Sequence, residues 1–185
     1  MRKYIPNALT MLRFLLVPVF IYLIFVSRLE KSTLYALIVF VLASLTDYVD
    51  GFLARKWQVI SDFGKIMDPM ADKLLVLSAL LALCLLPPFH FSILIFIVIL
   101  IREAGITLLR DVYQKRGIVV PADKLGKLKT VMQMVGIIFA LGAWTFLPEI
   151  SEGFSFGVEI WFWLVVGITL LSGFNYLKLL FTKEA

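Results

Sequence analysis

Cysteine and histidine are almost missing from this chain of 185 residues: each occurs once, as Cys84 and His90. A single cysteine excludes an intrachain disulfide and a thiolate metal cluster. Cys84 stands between Leu83 and Leu85, where a free thiol behaves as a small hydrophobe. His90 follows Pro87, Pro88 and Phe89 in what reads as an external turn, and it is assigned no role. Charge is scarce as well: Asp, Glu, Lys and Arg are 17% of the residues against 61% hydrophobic ones, and the mean hydropathy is +0.96. Apolar runs at 34–46, 74–86 and 91–101 recur along the chain rather than once near its start. That pattern predicts a polytopic membrane protein without a cleaved signal peptide, and it leaves no room for a second domain beside one spanning 1–185.

What is there divides into about six spans of about 20 residues each. They fall near 8–27, 33–55, 68–86, 89–111, 127–147 and 157–180, so the predicted fold is all-α with six transmembrane helices. If the spans alternate, Arg2, Lys3, Arg55, Lys56, Lys65, Arg110, Lys115, Arg116, Lys124, Lys127, Lys129 and Lys183 share one side, and the other offers Arg28 and Lys31. By the positive-inside rule the basic side is cytoplasmic, and both termini lie there. The formal net charge of +5 is then topology before it is ligand attraction. It is no nucleic-acid footprint, because the basic residues flank spans instead of forming a soluble face.

Against this background the acids at Asp47, Asp50, Asp68 and Asp72 stand out. A charge at membrane depth costs about 2.5–3.5 kcal/mol on insertion scales, so such residues line polar cavities and act there. Asp47 lies thirteen residues into the second apolar run, or roughly 20 Å at a rise of about 1.5 Å per residue, within a hydrocarbon core of about 30 Å. The third span opens at Asp68 on the same boundary. Asp47 and Asp50 form an i, i+3 pair, and Asp68 and Asp72 an i, i+4 pair, so each helix presents both acids on one face. Four carboxylates gathered in low dielectric repel one another unless cations neutralise them. Oxygen ligands at that density suit Mg²⁺ or Mn²⁺, as a pair of ions sharing ligands.

Other polar residues cluster at the same boundary. Asn7, Thr10 and Arg13 recur in steps of three after Pro6, which reads equally as a helix cap and as a ligand-facing surface. Gly51 and Ala54 leave room beside the acids, either for a ligand or for a helix crossing. Arg55 is one turn beyond Gly51, where a guanidinium suits a phosphate. Arg102 and Arg110 lie two turns apart on the fourth span; Glu103 and Asp111 follow them in sequence, but neighbours point different ways on a helix and make poor partners. Lys127 and Lys129 open the fifth span, where snorkelling is the structural alternative. Gln133 is the one strongly polar side chain between them and Glu149. Trp161, Phe162 and Trp163 read as an interfacial belt.

The stretch from Asp47 to Asp72 resembles the defining motif of the CDP-alcohol phosphotransferase family, D-x2-D-G-x2-A-R-x8-G-x3-D-x3-D, at every fixed position. Eight such positions coincide by chance on the order of 10⁻¹⁰ per start, which makes the likeness specific. It implies transfer of a phosphatidyl group from a CDP-linked lipid to an alcohol, with release of CMP. By that likeness Asp47, Asp50, Asp68 and Asp72 hold the metal pair, Asp72 also takes the acceptor's proton, and Asn7, Thr10, Gly51, Arg55 and Ser61 hold the cytidine diphosphate. A homodimer is implied in the same way. Pro6, Asn7, Arg102, Glu103, Leu109, Arg110 and the run 126–130 are most similar to members using sn-glycerol 3-phosphate. Arg102, Arg110, Lys127 and Lys129 then suit the phosphate on that acceptor. Two other readings remain: a family enzyme making cardiolipin, phosphatidylserine or a phosphatidylinositol phosphate, and a divalent-cation transporter, which accounts for the acids but not for Gly51, Arg55 and the basic cluster.

Overall fold

A computed structural model describes residues 4–57, 62–115 and 124–183; their side chains are described except at 4–7, 48, 51–55, 57, 62–69, 111, 114, 115 and 175–183. Among the described residues the fold is all-helical, with α1 (Tyr4–Ile21), α2 (Ser32–Trp57), α3 (Asp62–Leu85), α4 (Ile93–Lys115), α5 (Lys124–Phe146) and α6 (Glu152–Lys183). Three apolar segments in them are long enough to cross a membrane: Ala8–Val26, Lys124–Phe146 and Glu152–Phe174. A shorter one spans Ser32–Asp47.

The boundaries have local causes. In α1, Pro18 has no N–H to give and so removes one helix bond. The chain then widens into a π-helical turn over Tyr22–Val26, closed by the Ser27 amide donating to the Tyr22 carbonyl at 2.9 Å. Pro87 and Pro88 stop α3 after Leu85, because proline cannot continue the ladder. Ser151 caps α6, its Oγ accepting from the Phe154 amide at 3.3 Å. Within α2, Ser44 and Thr46 satisfy their hydroxyls on the Phe40 and Ala43 carbonyls, so that neither carries an idle polar group into the interior.

The helices contribute to two compact units, Met1–Ala82 with Ile137–Glu149 and Leu83–Gly136 with Ile150–Ala185. In the first, α1 packs along α2. The buried residues of α1 are Thr10, Arg13, Val17, Phe20 and Ile24, and those of α2 include Ala36, Phe40, Ala43 and Asp50. Steps alternating between three and four keep each set on one stripe. Phe20 meets Phe40 with ring centroids 5.8 Å apart, and the alanines on either side of Phe40 let the backbones approach.

In the second unit the stripe of α6 is Val158, Phe162, Val165, Thr169 and Ser172, while that of α4 begins with Ile95 and Ile99. Phe162 is fully buried against Phe91 at 5.6 Å, and Trp161 lies on α5, its Nε1 donating to the Met132 carbonyl at 3.1 Å. The expected aromatic belt is therefore divided. Three consecutive residues on a helix cannot share a face, so Phe162 turns inward while Trp161 and Trp163 stay partly exposed.

Candidate active site

In both units the buried stripes change from apolar to polar at one end. On α1 they run from Phe20 through Val17 to Arg13 and Thr10, and on α2 from Phe40 through Ala43 to Asp50. The antiparallel register that pairs Phe20 with Phe40 brings Arg13 to the acids. Arg13 is fully buried; its Nη1 pairs with Asp47 Oδ1 at 2.6 Å and its Nη2 donates to Asp50 Oδ2. Asp50 is 4% exposed and Asp47 41%, so one acid is sealed against the guanidinium while the other also faces outward. A planar cation with a rigid fork of donors can bridge two carboxylates in this way, with a separate nitrogen aimed at each.

Thr10 is buried on the same stripe of α1, and Asp72 is half-buried on α3, after the buried Ala71. Asn7, Gly51, Arg55 and Asp68 lie on helices, with side chains outside the described residues, and Ser61 lies outside the described residues altogether. Among the described residues no three metal-ligating side chains converge. Two of the four acids, Asp47 and Asp50, are brought together, and around a base that the three-residue spacing placed on a polar face without indicating its partner.

The second unit has its own polar end, built on α4, α5 and α6. Arg102 donates through Nη1 to Glu103 Oε1 at 3.3 Å and through Nη2 to Ser172 Oγ at 2.7 Å. Lys129 pairs with the same Glu103 oxygen and is 4% exposed. Glu103 is thus a partner of Arg102, against the expectation from their adjacency: the long guanidinium stem bends round, passing where a β-carbon on Gly173 would stand 3.5 Å from Arg102 Cγ. Lys129 does not snorkel. Lys127, two residues away and on the opposite side of the helix, is exposed, as is Arg110, so the four basic residues do not form one group. Glu103, Ser172, Thr169 and Gln133 were not assigned to a site from sequence. Gln133 carried a signal as an isolated polar residue in an apolar span, and Glu103 as a candidate local partner of Arg102 within the family-like pair; Ser172 and Thr169 carried none.

Carboxylate oxygens are the ligand type that suits a hard divalent cation; among the described residues Asp47 and Asp50 supply them from one face of α2, and both are engaged by Arg13. Fold and site together define a helical membrane protein with an acid-lined polar centre where its first two helices meet. The family model described as CDP-alcohol phosphatidyltransferase matches residues 3–172, and the chain belongs to that family, which generally works with divalent metals.

Its relatives include proteins named CDP-diacylglycerol–glycerol-3-phosphate 3-phosphatidyltransferase. The one from Rickettsia typhi is 35% identical over 181 residues, which cover 95% of this chain and 96% of the relative. The one from Bacillus subtilis is 37% identical over 186 residues, covering 93% and 92%. The one from Mycoplasma genitalium is 42% identical over 137 residues, 74% of this chain and 56% of the relative.

Proposed function

We propose that this protein moves a phosphatidyl group from CDP-diacylglycerol to sn-glycerol 3-phosphate, giving phosphatidylglycerophosphate and CMP. The observation that carries the reading is the convergence of Asp47 and Asp50 on one buried positive centre, in a chain whose relatives bear that enzyme's name. Family membership also removes the transporter reading that the aspartates alone left open.

In this reading Asp47, Asp50, Asp68 and Asp72 hold the divalent ions. When bound, such ions neutralise charge on the diphosphate and on departing CMP. Asn7, Thr10, Gly51, Arg55 and Ser61 hold the cytidine diphosphate. Asp72 takes the proton from the acceptor hydroxyl as its oxygen forms a bond to phosphorus and the bond from phosphorus to CMP breaks. Arg102, Arg110, Lys127 and Lys129 supply charge for the acceptor's phosphate; serine or uncharged inositol would need less of it.

The same reading has six spans with both termini in the cytosol. The protein sits in the cytoplasmic membrane with its active side inward, since glycerol phosphate and CMP are soluble and the diacyl tails are not. Likeness to the family further implies a homodimer.

The test supplies purified protein with CDP-diacylglycerol, Mg²⁺ or Mn²⁺, and labelled sn-glycerol 3-phosphate, serine, inositol phosphate or phosphatidylglycerol in turn. Phosphatidylglycerophosphate is the expected product, and product from serine alone overturns the acceptor. Asp72→Asn is expected to lower turnover by about 10²–10⁴-fold while CDP-lipid binding stays measurable, the signature of a lost proton acceptor.

A further inference from the structure

The polar end of the second unit holds more than its basic residues. Glu103 has a side chain only 15% exposed, and one of its oxygens, Oε1, receives both Arg102 and Lys129. Those two cations come from different helices, α4 and α5, and without a shared anion they would repel one another strongly in a low-dielectric interior. Arg102 is fixed at its other end by the fully buried hydroxyl of Ser172. Its stem lies alongside Gly173. Both cations are therefore oriented by neighbours. One turn along the stripe from Lys129, Gln133 is 4% exposed, and among the described residues its Nε2 finds no acceptor. A buried donor without an acceptor is costly and is retained where a ligand supplies one.

We propose that Glu103 is a positioning residue for acceptor binding: by bridging Arg102 and Lys129 it holds two cations side by side for a single phosphate. This rests on the assignment of those two residues to the acceptor's phosphate. Among the described residues, two cations and one carboxylate sum to one positive charge, a balance suited to an anionic ligand. The carboxylate itself would repel that ligand on direct contact, so its effect passes through its neighbours. Ser172 acts likewise on Arg102 alone.

The experiment measures steady-state kinetics of the full-length protein in mixed micelles, with both substrates varied. Glu103→Gln is expected to raise the KM for sn-glycerol 3-phosphate by about tenfold or more, with the KM for CDP-diacylglycerol within about twofold of the parent. Glu103→Asp, which keeps the charge on a shorter arm, should raise the acceptor KM by less. Because the carboxylate acts in part through Lys129, the acceptor-KM defect of the double variant Glu103→Gln, Lys129→Ala should be smaller than the product of the two single defects. Equal changes in both KM values, an unchanged acceptor KM, or multiplying defects in the double variant would overturn the proposal.

Arg102→Ala and Lys129→Ala separate the two levels of inference. If neither raises the acceptor KM, the acceptor assignment itself fails; if both do and Glu103→Gln does not, the positioning role alone fails. Should Glu103→Gln not fold, Ser172→Ala and Glu103→Asp carry the test, and an unchanged acceptor KM in both refutes the bridge.

Discussion

Removing Arg13 would take the guanidinium away from Asp50, which is 4% exposed and has it close against the carboxylate. Breaking a buried pair from one side costs about 3–5 kcal/mol, because the remaining charge keeps its desolvation without its partner. Arg13→Gln is therefore expected to lower the melting temperature measured in detergent with a chelator present. Saturating Mg²⁺ should stabilise this variant by more than it stabilises the parent, since the ion then supplies the positive charge the acids have lost. An equal metal-induced shift in both proteins would show that Arg13 does not neutralise these carboxylates. Much at this scale was legible beforehand: spacing alone put Arg13 on a polar face and paired the acids on α2. The partnership between them was not, because it depends on how α1 and α2 slide past each other. The contact of Glu103 with Lys129 was not legible for a similar reason: it depends on how α4 and α5 pack, not on spacing within one helix.

Among elements, the approach of α5 to α6 is the tightest contact described at any glycine. A β-carbon on Gly136 would stand 2.7 Å from Trp161 Nε1 and 3.0 Å from Phe162 Cζ. Trp161 cannot swing away without giving up its bond to the Met132 carbonyl, and Phe162 is fully buried. Gly136→Ala is accordingly expected to destabilise the protein by about 1–3 kcal/mol through overpacking, despite alanine's better helix propensity. Thermal unfolding checks this, and a variant at least as stable as the parent would contradict it. Helix positions were largely readable, since apolar runs and the Pro87, Pro88 stop are local features of the chain. The π-helical turn at Tyr22–Val26 was not anticipated, and neither was the division of Trp161 and Phe162 between two surroundings. Both depend on what packs alongside.

For the whole molecule, the motif of eight residues identified a family that the match over residues 3–172 bears out. Composition spoke to the membrane, and three described apolar segments have the length to cross it. The alternating topology inferred from basic residues is open to a direct measurement, because Cys84 is the sole cysteine and is buried. In a Cys84→Ser background, Glu149→Cys is expected to react with an impermeant maleimide in right-side-out vesicles, and Lys124→Cys only in inside-out ones. The reverse pattern would invert the orientation. The bond between Arg13 and the two acids of α2 also bears on how the chain is made. A helix released singly into lipid would carry its charge alone, at about 2.5–3.5 kcal/mol for each residue near the bilayer centre. The first two helices meet a smaller barrier if they leave the insertion machinery as a hairpin, with base and acids already joined. Were α1 and α2 to insert as spans, holding α1 beside the translocon until α2 has been synthesised would let base and acids enter the lipid already joined.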